Sequence, residues 1–266
     1  MAYSIRPMVE REHDACGIGF LADLANKASH DVVRLALDAV GAMVHRGARA
    51  ADGRTGDGAG MLVETPRALL IRELAASNIR VPERHLAAIA LFLPRDDEDA
   101  GYLRAQIEAA VRLAEVAPLR WRNPGFEPAV LGEHARRTVP QTQQLLVDMG
   151  PGNVRERMRA VRRSIARVLR ENGDTGTLVS ASPTTVVYKA LLSSNELGAF
   201  YTDLRDPLFT SRFAVFHQRF STNTSPSWRL VQPFNYVAHN GEINTITGNR
   251  AWMRARGIIG HRGASD

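Results

Sequence analysis

Asp14-Ala15-Cys16-Gly17-Ile18-Gly19-Phe20 is the stretch on which the reading of this chain turns. It holds the only cysteine among 266 residues. From Gly17 the chain runs Gly-Ile-Gly-Phe-Leu, short and apolar, which predicts a first β-strand. Ahead of it, Arg6-Pro7 and Glu10-Arg11-Glu12-His13-Asp14 make a polar leader with no reason to join a core. A thiol at this junction has two readings. It is a nucleophile that becomes N-terminal once residues 1–15 are removed, or a small buried hydrophobe that starts a strand, free cysteines being among the most buried residue types.

Composition narrows the classes. Hydrophobic residues at 44% and charged residues at 23% are ordinary for a globular protein with a substantial core. One cysteine excludes an internal disulfide, and the leader lacks the apolar run of a secretory signal. No later run is long enough to span a membrane, so a cytoplasmic location is expected and a membrane is not an expected partner. The net charge of +6 owes much to arginines in residues 153–170, where Val154, Met158, Val161, Ile165, Val168 and Leu169 recur at helical spacing. Without interleaved aromatics or a nucleic-acid motif, that arginine face reads as solvated or as docking on an acidic neighbouring domain. Nucleic acid is not expected.

Outward from the first strand, Ser29 or Asp31 caps a predicted helix to about Val44, and Gly47 suits its stop. A glycine-dense loop covers 51–60, a strand 61–63, and Pro66 opens a helix to about Ala75. Residues 85–94 read as a fully buried strand and 96–117 as a helix; 118–140, rich in proline, gives no clear element. Strands are predicted over 141–148, 177–192 (one or two, broken at Pro183), 212–219 and 234–238, with the arginine helix after the first of these and a closing helix over 245–256. This is not the regular alternation of a doubly wound parallel sheet; sheets with helices packed outside them fit better.

Taken singly, the other conspicuous segments have structural explanations. Arg46 suits a helix C-terminus, Asn240-Gly241 is a hairpin-turn signal, and Arg219 could end a strand. The loop at 52–60 lacks both the Gly-Lys-Ser/Thr ending of a P-loop and the spacing of a dinucleotide fingerprint. No histidine pair has metal-ligand spacing, so no metal is expected.

Together and in order, Cys16-Gly-Ile-Gly-Phe, His45-Arg-Gly-Ala followed by Ala51-Asp-Gly-x-Thr-Gly-Asp-Gly-Ala-Gly, Gln218-Arg-Phe-Ser-Thr-Asn-Thr and His239-Asn-Gly-Glu-Ile-Asn-Thr closely resemble the class II glutamine amidotransferase domain of glutamate synthase large subunits. The resemblance runs from about Glu12 to Arg256. The Thr-Gly-Asp-Gly-Ala-Gly loop and Asn244-Thr-x-x-Gly-Asn-Arg-x-Trp are its most specific parts.

The resemblance implies an α+β, four-layer αββα sandwich of the N-terminal nucleophile hydrolase type. It divides the chain into a leader, 1–15, and an amidotransferase domain, 16–266, that lacks a C-terminal part. It implies hydrolysis of L-glutamine by Cys16, exposed by cleavage after Ala15, with Asn240 and Gly241 holding the oxyanion. Arg219, with Thr222 beside it, takes the substrate α-carboxylate, and Arg46 and Gly47 line the site next to the nucleophile. The released ammonia would serve a synthase domain or chain that aminates 2-oxoglutarate. That partner is where FMN and an iron–sulfur cluster are expected, with no cofactor in the present chain. Two other readings stay open here: an inactive fragment serving as a docking module, and a stand-alone amidase acting on another amide.

Overall fold

The computed structural model describes residues 17–219, 225–234 and 246–257, the last group with backbone alone for 246–250. In chain order the strands and helices are β1 Gly17–Ala22, α1 His30–Ala42, β2 Ala59–Glu64, α2 Arg67–Ala75, β3 Leu86–Leu93, α3 Asp97–Leu113, β4 Ala117–Arg122, α4 Glu133–Thr138, β5 Gln141–Asp148, α5 Val154–Glu171, β6 Thr177–Ser182, β7 Thr185–Ala190, α6 Leu197–Phe200, β8 Phe213–Gln218 and α7 Ile246–Ala255.

The strands form two antiparallel sheets, ordered β1-β8-β2-β7 and β4-β5-β3-β6. All eight residues of β3 are buried, as its unbroken apolar run requires of a strand covered on both faces. Alternate residues serve different cores. Ala87, Ile89, Leu91 and Leu93 pack with Leu103 and Ile107 of α3 and with Met158, Val161 and Ile165 of α5. Leu86, Ala88, Ala90 and Phe92 share the other core with β2, β7 and α1. Period-two alternation in one strand thus separates a helical layer from the second sheet. With α1 packed on β1 and β8, the order is helix, sheet, sheet, helix pair: the α+β sandwich.

Local chemistry explains the element ends. The Ser29 side chain accepts the Val32 N–H at the start of α1, and Asp96 accepts those of Glu98 and Asp99 at the start of α3. The helix expected to run to residue 117 stops at Leu113, with Glu115 in the left-handed region at φ 57°, and Ala117 already begins β4. Pro118–Pro140, illegible in sequence, supplies β4 and α4. On α5, Met158, Val161, Ile165 and Leu169 are buried, while Arg155, Arg159, Arg163, Arg167 and Arg170 face solvent. No helix among the described residues is long and apolar enough to cross a membrane. Of the strand expected over 234–238, Phe234 lies in no strand and the rest is outside the described residues.

Candidate active site

The glycine-dense loop is organised by its two aspartates. Asp52 accepts from the backbone N–H of Arg54 (3.0 Å) and Thr55 (2.7 Å), from the Thr55 hydroxyl (2.6 Å), and from the His134 N–H at the start of α4 (2.9 Å). These bonds, the Thr55 hydroxyl first, hold its carboxyl well below the usual carboxylate range. The α4 helix, absent from the sequence reading, is therefore what braces the far end of the loop.

Asp57 faces the other way, into the protein. Its Oδ2 accepts the Ala48 N–H at 2.9 Å, and its Oδ1 accepts an amide hydrogen of Gln218 at 2.9 Å. The Arg219 guanidinium lies with Nε 3.0 Å from Oδ2. Burial pushes the Asp57 carboxyl up, while the Ala48 N–H, the Arg219 charge and the Gln218 amide pull it back down.

Three chain segments converge on this carboxylate. The first is the single 3-10 turn Met43–Arg46 and the residues after it. Gly47 was expected to stop a helix, the usual glycine stop being left-handed. Its φ of −97° is extended instead, and its requirement is space: a Cβ there would lie 2.3 Å from Gln218 Nε2. Arg46 reaches back toward β1, where a Cβ on Gly17 would stand 3.4 Å from its Cδ. Gly17 is the residue joined directly to Cys16 and pairs with Gln218 across the sheet.

The second segment is the end of β8. Gln218 passes the cluster's order along by accepting the Ser194 N–H at 3.1 Å. Arg219 has a φ of 70°, unusual for a residue with a side chain, and its N–H donates to Gly58 O at 2.8 Å. The third is the loop itself. Gly58 has φ 108°, and a Cβ there would fall 2.6 Å from a methyl of Val231. Its glycine is needed for close packing, consistent with the failure of both phosphate-loop patterns.

Val231 lies in a stretch held from beneath by Lys189 of β7. The Lys189 ammonium donates to Val231 O (2.7 Å) and Arg229 O (3.3 Å), and sits 4.9 Å from the centre of the Phe234 ring. Burial lowers its pKa to about 7 from an ordinary value near 10.5. The folded protein therefore binds fewer protons than the unfolded chain between those values, and stability rises with pH across the window. The contribution is present above the unfolded pKa and is lost as pH falls through about 7. Against Lys189→Met, wild type should gain about 1.4 kcal/mol of unfolding free energy per pH unit between roughly 7.5 and 10. Parallel pH profiles for the two proteins in urea titrations would contradict this.

Beside Asp57 opens a cavity of about 350 Å³ whose lining includes Ala48, Arg49, Thr55, His134, Arg219 and Ser225. It has the size and mixed lining of a small-molecule site. A roomier groove, about 600 Å³, runs along α5 beside Arg155, Arg159 and Thr184. Its charged lining is arginine alone, Arg155, Arg159 and Arg162, with no carboxylate beside them as Asp57 stands beside Arg219 in the smaller cavity. Among the described residues no group of three or more His, Cys, Asp or Glu side chains could hold a metal.

Of the residues singled out in sequence, Gly47 and Arg219 are thus brought together around Asp57 and Gln218, and Arg46 stands beside Gly17. Cys16, Thr222, Asn240 and Gly241 lie outside the described residues. Sequence reasoning missed Asp57, Gln218 and Lys189 as contributors. Asp57 and Gln218 stood inside quoted motifs without assigned roles; Lys189 gave no signal beyond being a lysine in an apolar strand.

Residues 16–261 match the family model described as glutamine amidotransferases class-II. The chain is 41% identical over 256 residues to ferredoxin-dependent glutamate synthase 2 of Synechocystis sp., covering 94% of this chain and 16% of that protein. It is 40% identical over 252 residues to the chloroplastic ferredoxin-dependent glutamate synthase 2 of Arabidopsis thaliana, covering 92% of this chain and 16% of that protein. It is 38% identical over 252 residues to the glutamate synthase [NADPH] large chain of Azospirillum brasilense, covering 92% of this chain and 17% of that protein. The chain thus spans about a sixth of the length of these curated relatives.

Proposed function

The chain belongs to the class II glutamine amidotransferases, and on that premise we propose that it is the glutaminase part of a glutamate synthase, with Cys16 as nucleophile. The leader 1–15 is removed, which turns the amide nitrogen of Cys16 into a free amine. An α-amine titrates near 8 and a thiol near 8.5, roughly, so the amine can take the thiol proton directly or through a water. Before cleavage that nitrogen is an amide and has no such capacity.

The thiolate adds to the side-chain carbonyl carbon of glutamine, forming a C–S bond and a tetrahedral oxyanion. The Asn240 side-chain amide and the Gly241 N–H donate to that oxygen. Collapse breaks the C–N bond; the amine proton passes to the leaving nitrogen, which departs as ammonia. Water then attacks the thioester, releasing glutamate and restoring the thiol. Arg219, with Thr222, receives the α-carboxylate, where a planar guanidinium matches two oxygens at once as a lysine cannot. Arg46 and Gly47 line the nucleophile's side of the site. The ammonia would go to a synthase portion that reductively aminates 2-oxoglutarate, where FMN and an iron–sulfur cluster, if bound there, would supply electrons.

The observation that carries this reading is the largely buried Arg219, its guanidinium paired with Asp57 on the wall of a cavity that Ala48 and Arg49 also line. The test is N-terminal sequencing of the purified chain beside a glutamine-to-glutamate assay with ammonia measured separately. A mature terminus at Cys16 and equal yields of glutamate and ammonia are expected. Full activity from a chain that still starts at Met1 would overturn the proposal.

A further inference from the structure

We propose that Asp57 is the positioning residue for recognition of the substrate α-carboxylate: its carboxylate anchors the Arg219 guanidinium through an ion pair and ties it to the turn beside the nucleophile. The assignment rests on the glutaminase reading above.

Arg219 is held to the loop at two points, its backbone N–H to Gly58 O and its Nε to Asp57 Oδ2. The ion pair at Nε holds the guanidinium on the Asp57 side of the cavity, and a guanidinium held in place is what two-point carboxylate recognition needs. The same Asp57 oxygen also accepts the Ala48 N–H, so the arginine and the Gly47–Ala48 turn are placed relative to one another by a single atom.

Proton direction makes the carboxylate specific. Asp57 accepts two hydrogen bonds, from a backbone N–H and an amide N–H, and faces the guanidinium as an ion-pair partner. Gln218 cannot turn its amide over, because its oxygen already accepts the Ser194 N–H. An asparagine at 57 therefore sets one NH₂ against a donor whichever way it faces. The mismatch can be repaired without restoring Asp57. In Asp57→Asn with Gln218→Glu, the new amide donates to the new carboxylate, which accepts the Ser194 N–H, and the asparagine oxygen serves Ala48 and Arg219.

The experiment compares wild type, Asp57→Asn and the double variant for turnover of glutamine and of 4-aminobutanamide, which is glutamine without its α-carboxylate. The single variant should raise KM for glutamine about 10- to 100-fold, the effect of one lost bond to a charged group, with kcat changed less than about threefold. Its kcat/KM for 4-aminobutanamide should stay at the wild-type value, and the double variant should recover most of the glutamine KM. Equal losses on both substrates, or a lowered unfolding midpoint with unchanged KM, would make Asp57 merely structural and overturn the assignment. A wild type that neither hydrolyses nor binds glutamine sinks the glutaminase reading itself. A wild type that does so, beside an unaltered Asp57→Asn, sinks only this inference.

Discussion

Replacing Cys16 by alanine is expected to abolish glutamine hydrolysis, with a loss in kcat on the order of 10⁶-fold, the scale seen when a covalent nucleophile is removed. Every later step of the proposed cycle passes through the thioester, so no neighbouring group can substitute. Binding should survive, because the receptor proposed for the α-carboxylate, Arg219 paired with Asp57, lies on other elements. Serine at 16 is the informative companion. It keeps an amine-activated hydroxyl of similar size and should retain a trace of activity while losing thiol alkylation. Two readouts bear on the nucleophile: irreversible labelling of wild type by a glutamine analogue carrying an electrophile, and its absence in both variants. Labelling of the alanine variant at the wild-type rate would remove Cys16 from the mechanism.

Much of the sandwich was legible because its strands obey simple patterns. The apolar run of β3 and the alternation across β6 and β7 fall where sequence places them, and the Ala36, Val40 and Met158, Val161, Ile165 stripes mark the buried faces of α1 and α5. What escaped is non-local. β4 reads Ala-Pro-Leu-Arg-Trp-Arg, and a proline with two arginines argues against a strand until Arg122 proves to point into a buried cluster. The α4 helix has six residues and little periodicity; its purpose, closing the loop around Asp52, lies 82 positions away in sequence. Asp57 and Gln218 are separated by 161 positions, and a hydrogen bond across that distance leaves no spacing to detect. Arg46, Gly47 and Arg219 could be named only because short motifs recur in a known family. That Gly47 and Arg219 meet at one carboxylate is information that the folded chain adds.

Arg122→Met is expected to cost about 3–5 kcal/mol of unfolding free energy, a large share of the 5–15 typical of whole proteins. The guanidinium is enclosed and fully used: Nη1 donates to Gln144 Oε1 and Asp203 Oδ2, both at 2.7 Å, Nη2 to Asp203 Oδ1 (2.9 Å) and Glu73 Oε1 (2.7 Å), and Nε to Glu73 Oε2 (2.7 Å). Tyr188 adds its hydroxyl to Asp203 at 2.8 Å. The cluster joins β4 and β5 of one sheet to β7 of the other, and to the turn around Asp203. Burial pushes the Asp203 carboxyl up, opposed chiefly by hydrogen bonds from Arg122 and by its charge. Methionine fills much of the volume but strands that carboxylate with the tyrosine as its remaining partner, and the desolvation penalty then stands uncompensated. Replacing both charges, Arg122→Met with Asp203→Leu, should recover a good part of the loss, because Glu73 is partly exposed and can turn to water. Urea titration reads both effects. A single variant within 1 kcal/mol of wild type would mean that the pair contributes little to joining the sheets. Glutaminase kcat per folded molecule should be unchanged in either variant, since this cluster shares no bond with the one at Asp57.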